Sequence, residues 1–285
     1  MDGEPRDANS GMIVPEDKEY LYGIAPGALL VHGGRVWKSV VRRRPGPRRF
    51  AKEPVDFLVL SAPVKADLLK AAGWELTTPV HDDPKPPEPN LSDEGSIVVG
   101  PDGNLYDILR VHEPKKGGMA ALLALSADGK KLSFDPASGF IKFPGGCKKF
   151  TIRHDPQSGL YWSLTNWAQE KDRPKAKDAN YHRNTLALTA SNNLRDWEVR
   201  SIILYHLDVR RVGFQYVDWQ FEGDDIIAVS RTAFDEAPNC HDANYLTFHR
   251  IKDFRKRTMN DKPLNHPIEK QTAQNAPADA DKPRR

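Results

Sequence analysis

The stretch GFQYVDWQFEGDDIIAVSRTAFDEAPNCHDANYLTFHR, residues 213–250, concentrates side chains able to move protons, hold anions or stack on a sugar ring. Asp218 stands between Tyr216 and Trp219, whose rings would desolvate its carboxyl and raise the pKa toward that of an acid useful near neutral pH. The alternative for it is a turn-stabilising or sheet-bridging aspartate. His241 has the intrinsic pKa of a general acid or base, while its run His-Asp-Ala-Asn equally suits a loop tied down by local side-chain to backbone hydrogen bonds. Glu94, just ahead of the apolar run SIVV with a glycine behind it, supplies a further carboxylate. Acid–base catalysis needs one group that gives a proton and another that takes one or attacks. Asp218, Glu94 and His241 are therefore the candidate catalytic set.

Arg110, Arg183 and Arg231 occur once in each of three successive units, beside the apolar runs DILRV, RNTLAL and AVSRTA. Three converging guanidinium forks would select a carboxylate and hence an acidic sugar; the competing expectation pairs each arginine with an acid of a neighbouring sheet. Tyr216, Lys149, Asp242 and Asn244 complete the candidate substrate-binding set. Lys148 and Lys149 follow the turn PGGC, where they either orient hydroxyls or a carboxylate or stay as an exposed pair. Trp167 and Trp219 are candidates for sugar stacking or for the core. Asp224 and Asp225 read as an ordinary solvated hairpin turn, and His249 as structural.

Short antiparallel strands must position these groups. SIVVGPDGNLYDILRVH and KKFTIRHDPQSGLYWSLTNW each read as two strands about a glycine turn, and the stretch from 213 reads as three strands with the acidic turn EGDD between the first two. VKADLLKAAGWELT suggests a short helical turn before Trp74, and HDDPKPPEPN a proline-rich connection outside any sheet. Stacked together, the units recur every 45 to 60 residues or so, each leading from a serine toward an aromatic residue, as in SNNLRDW at 191–197. That period suits blades of four strands packed about one axis; the alternative is a generic antiparallel sandwich. The expected organisation is an irregular segment at 1–19, an all-β propeller over 20–255, and a disordered polar tail at 256–285.

Composition narrows the function classes. With 42 Lys and Arg against 39 Asp and Glu, the formal charge is +3 over 285 residues, and no RNA-binding aromatic motif accompanies the basic clusters. Nucleic acid is not an expected partner. Cys147 and Cys240 fit no metal-ligand spacing and read as free thiols. No zinc, P-loop or dinucleotide motif occurs, so no cofactor is indicated. The opening MDGEPRDANS has no apolar core of a signal peptide, and no stretch approaches a membrane span.

The serine-to-tryptophan segments resemble the blade turns of sialidase-type propellers. Together with EGSIVVGPDGNLYDILRV, FPGGCKKFTIRHDPQSGLYWSLTN, GFQYVDWQFEGDDIIAVSRTAFDE and HDANYLTFHRIKDFR, they make residues from about 20 to 255 similar to bacterial sialidase-like (exo-alpha-sialidase or BNR-repeat) proteins. The resemblance implies a five- or six-bladed propeller with a carbohydrate site at one end of its channel, and a glycosidase that uses a tyrosine nucleophile, an assisting glutamate and three arginines. Only about four units are visible, which would make the chain N-terminally incomplete, and members usually carry an export signal. A non-catalytic carbohydrate-binding propeller and a protein-interaction propeller are the alternatives that fold alone leaves open.

Overall fold

The computed structural model describes residues 19–24, 27–44, 54–82, 89–113, 115–176 and 178–265. The chain is all-β and forms four antiparallel sheets in chain order, arranged as the blades of a propeller. The first is built on Arg35–Arg43 and Val55–Pro63. The second runs through Asn90–Val99, Leu105–His112 and Met119–Leu125, on which the short strands Leu132–Ser133 and Phe140–Lys142 pair. The third is Ile152–Asp155, Leu160–Asn166, Thr185–Ser191 and Glu198–Tyr205. The fourth has Gly213–Glu222, Asp225–Ala233 and Tyr245–Ile251.

Inner strands such as Val55–Pro63 and Thr185–Ser191 are buried almost without a break, so both faces of the first three sheets are covered and neighbouring sheets share a core. Trp37, Phe57 and Val59 of the first sheet pack with Ile97, Leu109 and Leu123 of the second. Val98 and Ile108 pack with Phe150, Ile152 and Tyr161 of the third, and Trp162, Leu164 and Leu188 with Phe214, Val217 and Trp219 of the fourth. The fourth sheet's other face leaves Val229, Leu246 and Phe248 in solvent.

The turn SNNLRDW shows why that motif recurs. Leu194 takes a left-handed φ of 64°, Asn193 Oδ1 accepts the amides of Arg195 and Asp196, and the Trp197 indole donates to the Leu194 carbonyl. Trp197 then enters the core between the second and third sheets. Asp155 joins the end of the fold to the third sheet through two hydrogen bonds from Arg255, at 2.7 and 2.9 Å. The Arg255 contact, aided by Ser158, holds its carboxyl well below the usual carboxylate range.

Two expectations need correction. Four sheets, not five or six, are present among the described residues, with six, five, four and three strands instead of a uniform four. The packed fold extends past 256: Arg257 donates to Ser201 Oγ, the Leu264 amide bonds Ile203, and Leu264 packs on the core. The short helical turn expected before Trp74 is present as a 3-10 turn, Ala71–Gly73. The segments 1–18, 83–88 and 266–285, on which the irregular start, much of the proline-rich connection and most of the polar tail were expected, lie outside the described residues. No helix among the described residues is long and apolar enough to cross a membrane.

Candidate active site

Two β-bulges build the site. In Asn90–Val99 the register jumps between Leu91 and Gly95 where the facing strand advances only from Val111 to Leu109. The extra residues turn Glu94 into a left-handed φ of 82°. In Gly213–Glu222 the register shifts between Gln215 and Asp218, and Tyr216 takes a φ of 51°. Bulges re-aim side chains at strand ends, and strained non-glycine residues persist where the surroundings hold them. Here both bulges aim into one place. Tyr216 is half-buried, and burial, then the charge of Glu94, raise its phenol pKa. Gly95 has to be glycine for this geometry: a Cβ there would sit 2.3 Å from Asp107 Oδ1 and from Ser39 Oγ.

Arginines and lysines surround the pair. Arg110 Nη1 donates to Glu94 Oε2 at 2.8 Å, its Nε to the Cys147 carbonyl at 2.7 Å, and its Nη2 to Asn180 Oδ1 at 3.3 Å. Arg231 lies with its guanidinium carbon 4.8 Å from the centre of the Tyr216 ring, a cation-π contact. Arg183 is only 5% exposed, its Nε has no hydrogen-bond partner, and no carboxylate pairs with it among the described residues. Burial, then the nearby Arg110 charge, lower its pKa. Lys149, a candidate for substrate binding, is buried; its Nζ donates to Thr151 Oγ1 and the Val217 carbonyl, tying the third sheet to the fourth. Burial pushes it down to about 8, against Asp218 and Glu94. Lys148 is fully buried, donating to the Ala179 carbonyl at 2.8 Å, so the exposed-pair alternative fails for both lysines.

The loop before Tyr245–Ile251 supplies one edge of the site. The His241 ring stands edge-on to Tyr216, 6.2 Å between centres, and its Nδ1 lies 2.9 Å from Asp242 Oδ1. Gln215 Nε2 and Arg231 both donate to the His241 carbonyl, which fixes the loop on the sheet. Asn244 is turned elsewhere: its amide donates to the carbonyls of Phe234 and Asp235 and accepts the Phe234 amide, so it closes its own loop. Asp218 also differs from expectation. The bulge shifts the phase of the strand, so Trp219 is buried while the Asp218 side chain is 57% exposed beside Arg153, and the aromatic rings do not desolvate it. Asp224 and Asp225 bind Arg255 and Arg250 on the surface, as a solvated turn would.

Glu94, Tyr216, Arg110, Arg183, Arg231 and His241 thus meet, with Lys149 beneath them. Two features escaped the sequence: the Glu94–Tyr216 pairing, which needs both bulges, and the burial of Lys148, for which no local signal exists. No group of three His, Cys, Asp or Glu side chains among the described residues could share a metal ion.

Asp107, behind this cluster, is fully buried; it accepts from Ser39 Oγ at 2.7 Å and its Oδ1 has no partner. Burial pushes its pKa from 3.8 up to about 7, against the Ser39 hydrogen bond and the Lys38 charge. Between these values the folded chain holds a proton that the unfolded chain has released, so stability falls as pH rises through that window. Asp107→Asn removes the titration. The loss of stability between about pH 5 and about pH 8, measured by urea unfolding, is expected to shrink by up to ~3 kcal/mol.

The chain matches no family model, and no curated protein sequence matches it. Solved structures do. A beta-fructofuranosidase from Schwanniomyces occidentalis, solved with fructosyl-erythritol, superposes on 89% of this chain and 48% of its own, with TM-score 0.53 and 10% identity. An alpha-L-arabinofuranosidase from Lactobacillus brevis covers 84% and 76% at TM-score 0.49 and 10% identity. A Bacteroides ovatus protein designated a hydrolase covers 87% and 65% at TM-score 0.47 and 12% identity. This chain therefore spans less than two thirds of the length of the first and the last of these. At such identities the likeness concerns the fold alone, a β-propeller.

Proposed function

We propose that the protein is a glycoside hydrolase that removes a terminal acidic sugar. The observation that carries the reading is Arg183, a buried guanidinium with no acid beside it among the described residues. An unpaired buried cation is costly, and a substrate carboxylate would complete it, with Arg231 at its edge. Glu94 cannot serve instead, because Arg110 already holds it.

In this reading the phenol oxygen of Tyr216 attacks the anomeric carbon as the bond to the leaving oxygen breaks. The phenol, kept protonated by its raised pKa, gives its proton to Glu94. His241, oriented by Asp242, gives a proton to the leaving oxygen. Water then attacks the glycosyl-tyrosine, the sugar departs, and the phenol recovers its proton from Glu94 while His241 takes one from the water. A neutral nucleophile suits an anionic sugar, which a carboxylate would repel. Asp218 is the other candidate acid, open to solvent on the far side of the bulge. The resemblance to sialidase-like propellers is the reason for including sialic acid among the acidic sugars to be tried.

One observation favours binding without turnover: Glu94 is already held in an ion pair by Arg110. Aryl glycosides of sialic acid, glucuronic acid and neutral hexoses separate the readings. Turnover of an acidic glycoside, lost in His241→Asn and kept in Asp218→Asn, is the expected result. Turnover confined to neutral glycosides would refute the acidic-sugar assignment, and tight binding of acidic sugars without release of aglycone would select the binding module.

A further inference from the structure

Five of the six tryptophans donate their indole N–H to the protein: Trp37 to His32, Trp74 to Leu68, Trp162 to Ser158, Trp197 to Leu194 and Trp219 to Thr151. Trp167 donates to nothing among the described residues and is only half-buried. It lines a cavity of about 290 Å³ on the boundary of the second and third sheets, together with Phe143, Pro144, Lys116, Lys142 and Arg173. The lining contains three cations and no carboxylate. A flat indole with an unused donor, next to an apolar wall and positive charge, is the equipment for stacking on a sugar ring that carries an anion.

This groove adjoins the site already described. The run FPGGCKK begins with Phe143 and Pro144 in the groove and ends with Cys147, whose carbonyl holds Arg110, and Lys149. From Pro144 to Lys149 the chain can span at most about 18 Å. Gly117, also lining the groove, backs onto Cys147 and Ala179: a Cβ there would sit 2.6 Å from Cys147 Sγ and from Ala179 Cβ. The two places therefore lie within the length of an oligosaccharide of a few residues.

We infer that the groove at Trp167 is a second sugar subsite, which takes a uronic acid or sulfated residue of the same glycan whose terminal sugar enters the site at Arg183. The inference rests on the carbohydrate reading of that site but not on turnover. Trp167 stacks on the ring, its indole N–H donates to a ring substituent, and Lys116 and Lys142 face the anion. Arg173 is held by the carbonyls of Lys115 and Lys116 and paired with Glu170 at 3.0 Å, so it shapes the loop and the two lysines carry the groove's free charge.

The test uses tetragalacturonate and its carboxyl-reduced, neutral counterpart as probes, followed by calorimetry and by the tryptophan indole N–H signals in NMR. In Arg183→Met protein, where the terminal site is disabled, the acidic tetramer is expected still to bind and to shift the Trp167 indole signal. Trp167→Ala, and independently the exposed Lys142→Glu, each lower that affinity about tenfold or more, and Trp167→Ala leaves turnover of a simple aryl glycoside unchanged. Absence of binding, unchanged affinity in both variants, or equal affinity for acidic and neutral tetramers overturns the inference. Failure to cleave any glycoside would remove the proposed hydrolysis and leave this binding result standing.

Discussion

Tyr216→Phe is expected to lower kcat on an acidic aryl glycoside by at least about a thousandfold, with no loss of folding cooperativity and little change in substrate affinity. The change deletes one oxygen atom. Tyr216 makes its ring contacts, to Arg231 and to His241, through the aromatic face and edge, and those survive in phenylalanine. What disappears is the nucleophile, together with the group that Glu94 relieves of a proton. Because the phenol pKa lies above its ordinary value, by burial first and by Glu94 second, the oxygen is protonated throughout the neutral range and cannot act as a preformed phenolate. Glu94→Gln should therefore reproduce most of the loss: a carboxamide takes no proton, although it still fills the bulge and can accept from Arg110. A Tyr216→Phe enzyme retaining more than about a tenth of the wild-type rate would exclude tyrosine as nucleophile. Attention would then move to Asp218, which lies two residues further along the same strand.

The comparison of sequence with structure turns on where local rules apply. Turns and strand pairs were legible because each is set by neighbours: the glycine after Asp102, the Asp-Pro-x-x-Gly hairpin at 155–159, and the serine-to-tryptophan turn at 191–197 all form as their residues require. Four repeating units were equally visible, and four sheets are present among the described residues; the larger number came from resemblance alone. Alternation failed at the bulges. It presumes that each residue reverses the face of the last, and one extra residue between Gln215 and Asp218 was enough to bury Trp219 and expose Asp218. The three arginines were legible as a set but not in their separate fates. Arg110 is paired and hydrogen-bonded through three nitrogens, Arg231 lies on an aromatic ring, and Arg183 has no counter-ion among the described residues. Those differences depend on residues as distant in the chain as Glu94, Asn180 and Tyr216, which no local pattern connects.

Arg183 is where function and stability should part. Arg183→Met keeps the aliphatic bulk of the side chain and removes a buried charge whose donors find no carboxylate, so the ligand-free protein is expected to become more stable by about 1–3 kcal/mol. Ordinary core arginines behave in the opposite way: the carboxylate partner left behind would be stranded and stability would fall. At the same time kcat/KM for an acidic glycoside should drop by roughly a hundredfold or more, the cost of removing one partner of a desolvated charge pair, while a neutral glycoside cleaved by the same enzyme changes little. Arg183→Lys distinguishes charge from shape, since an ammonium supplies the positive charge without the paired donors that match a carboxylate; it should recover part of the lost affinity and little of the stability. Thermal unfolding with and without the free acidic sugar makes the two effects visible in one experiment. Wild type starts lower and rises on adding the sugar, whereas the methionine variant starts higher and does not respond. A methionine variant that is less stable than wild type yet cleaves the acidic glycoside normally would make Arg183 a structural residue and leave the acidic-sugar reading without its support.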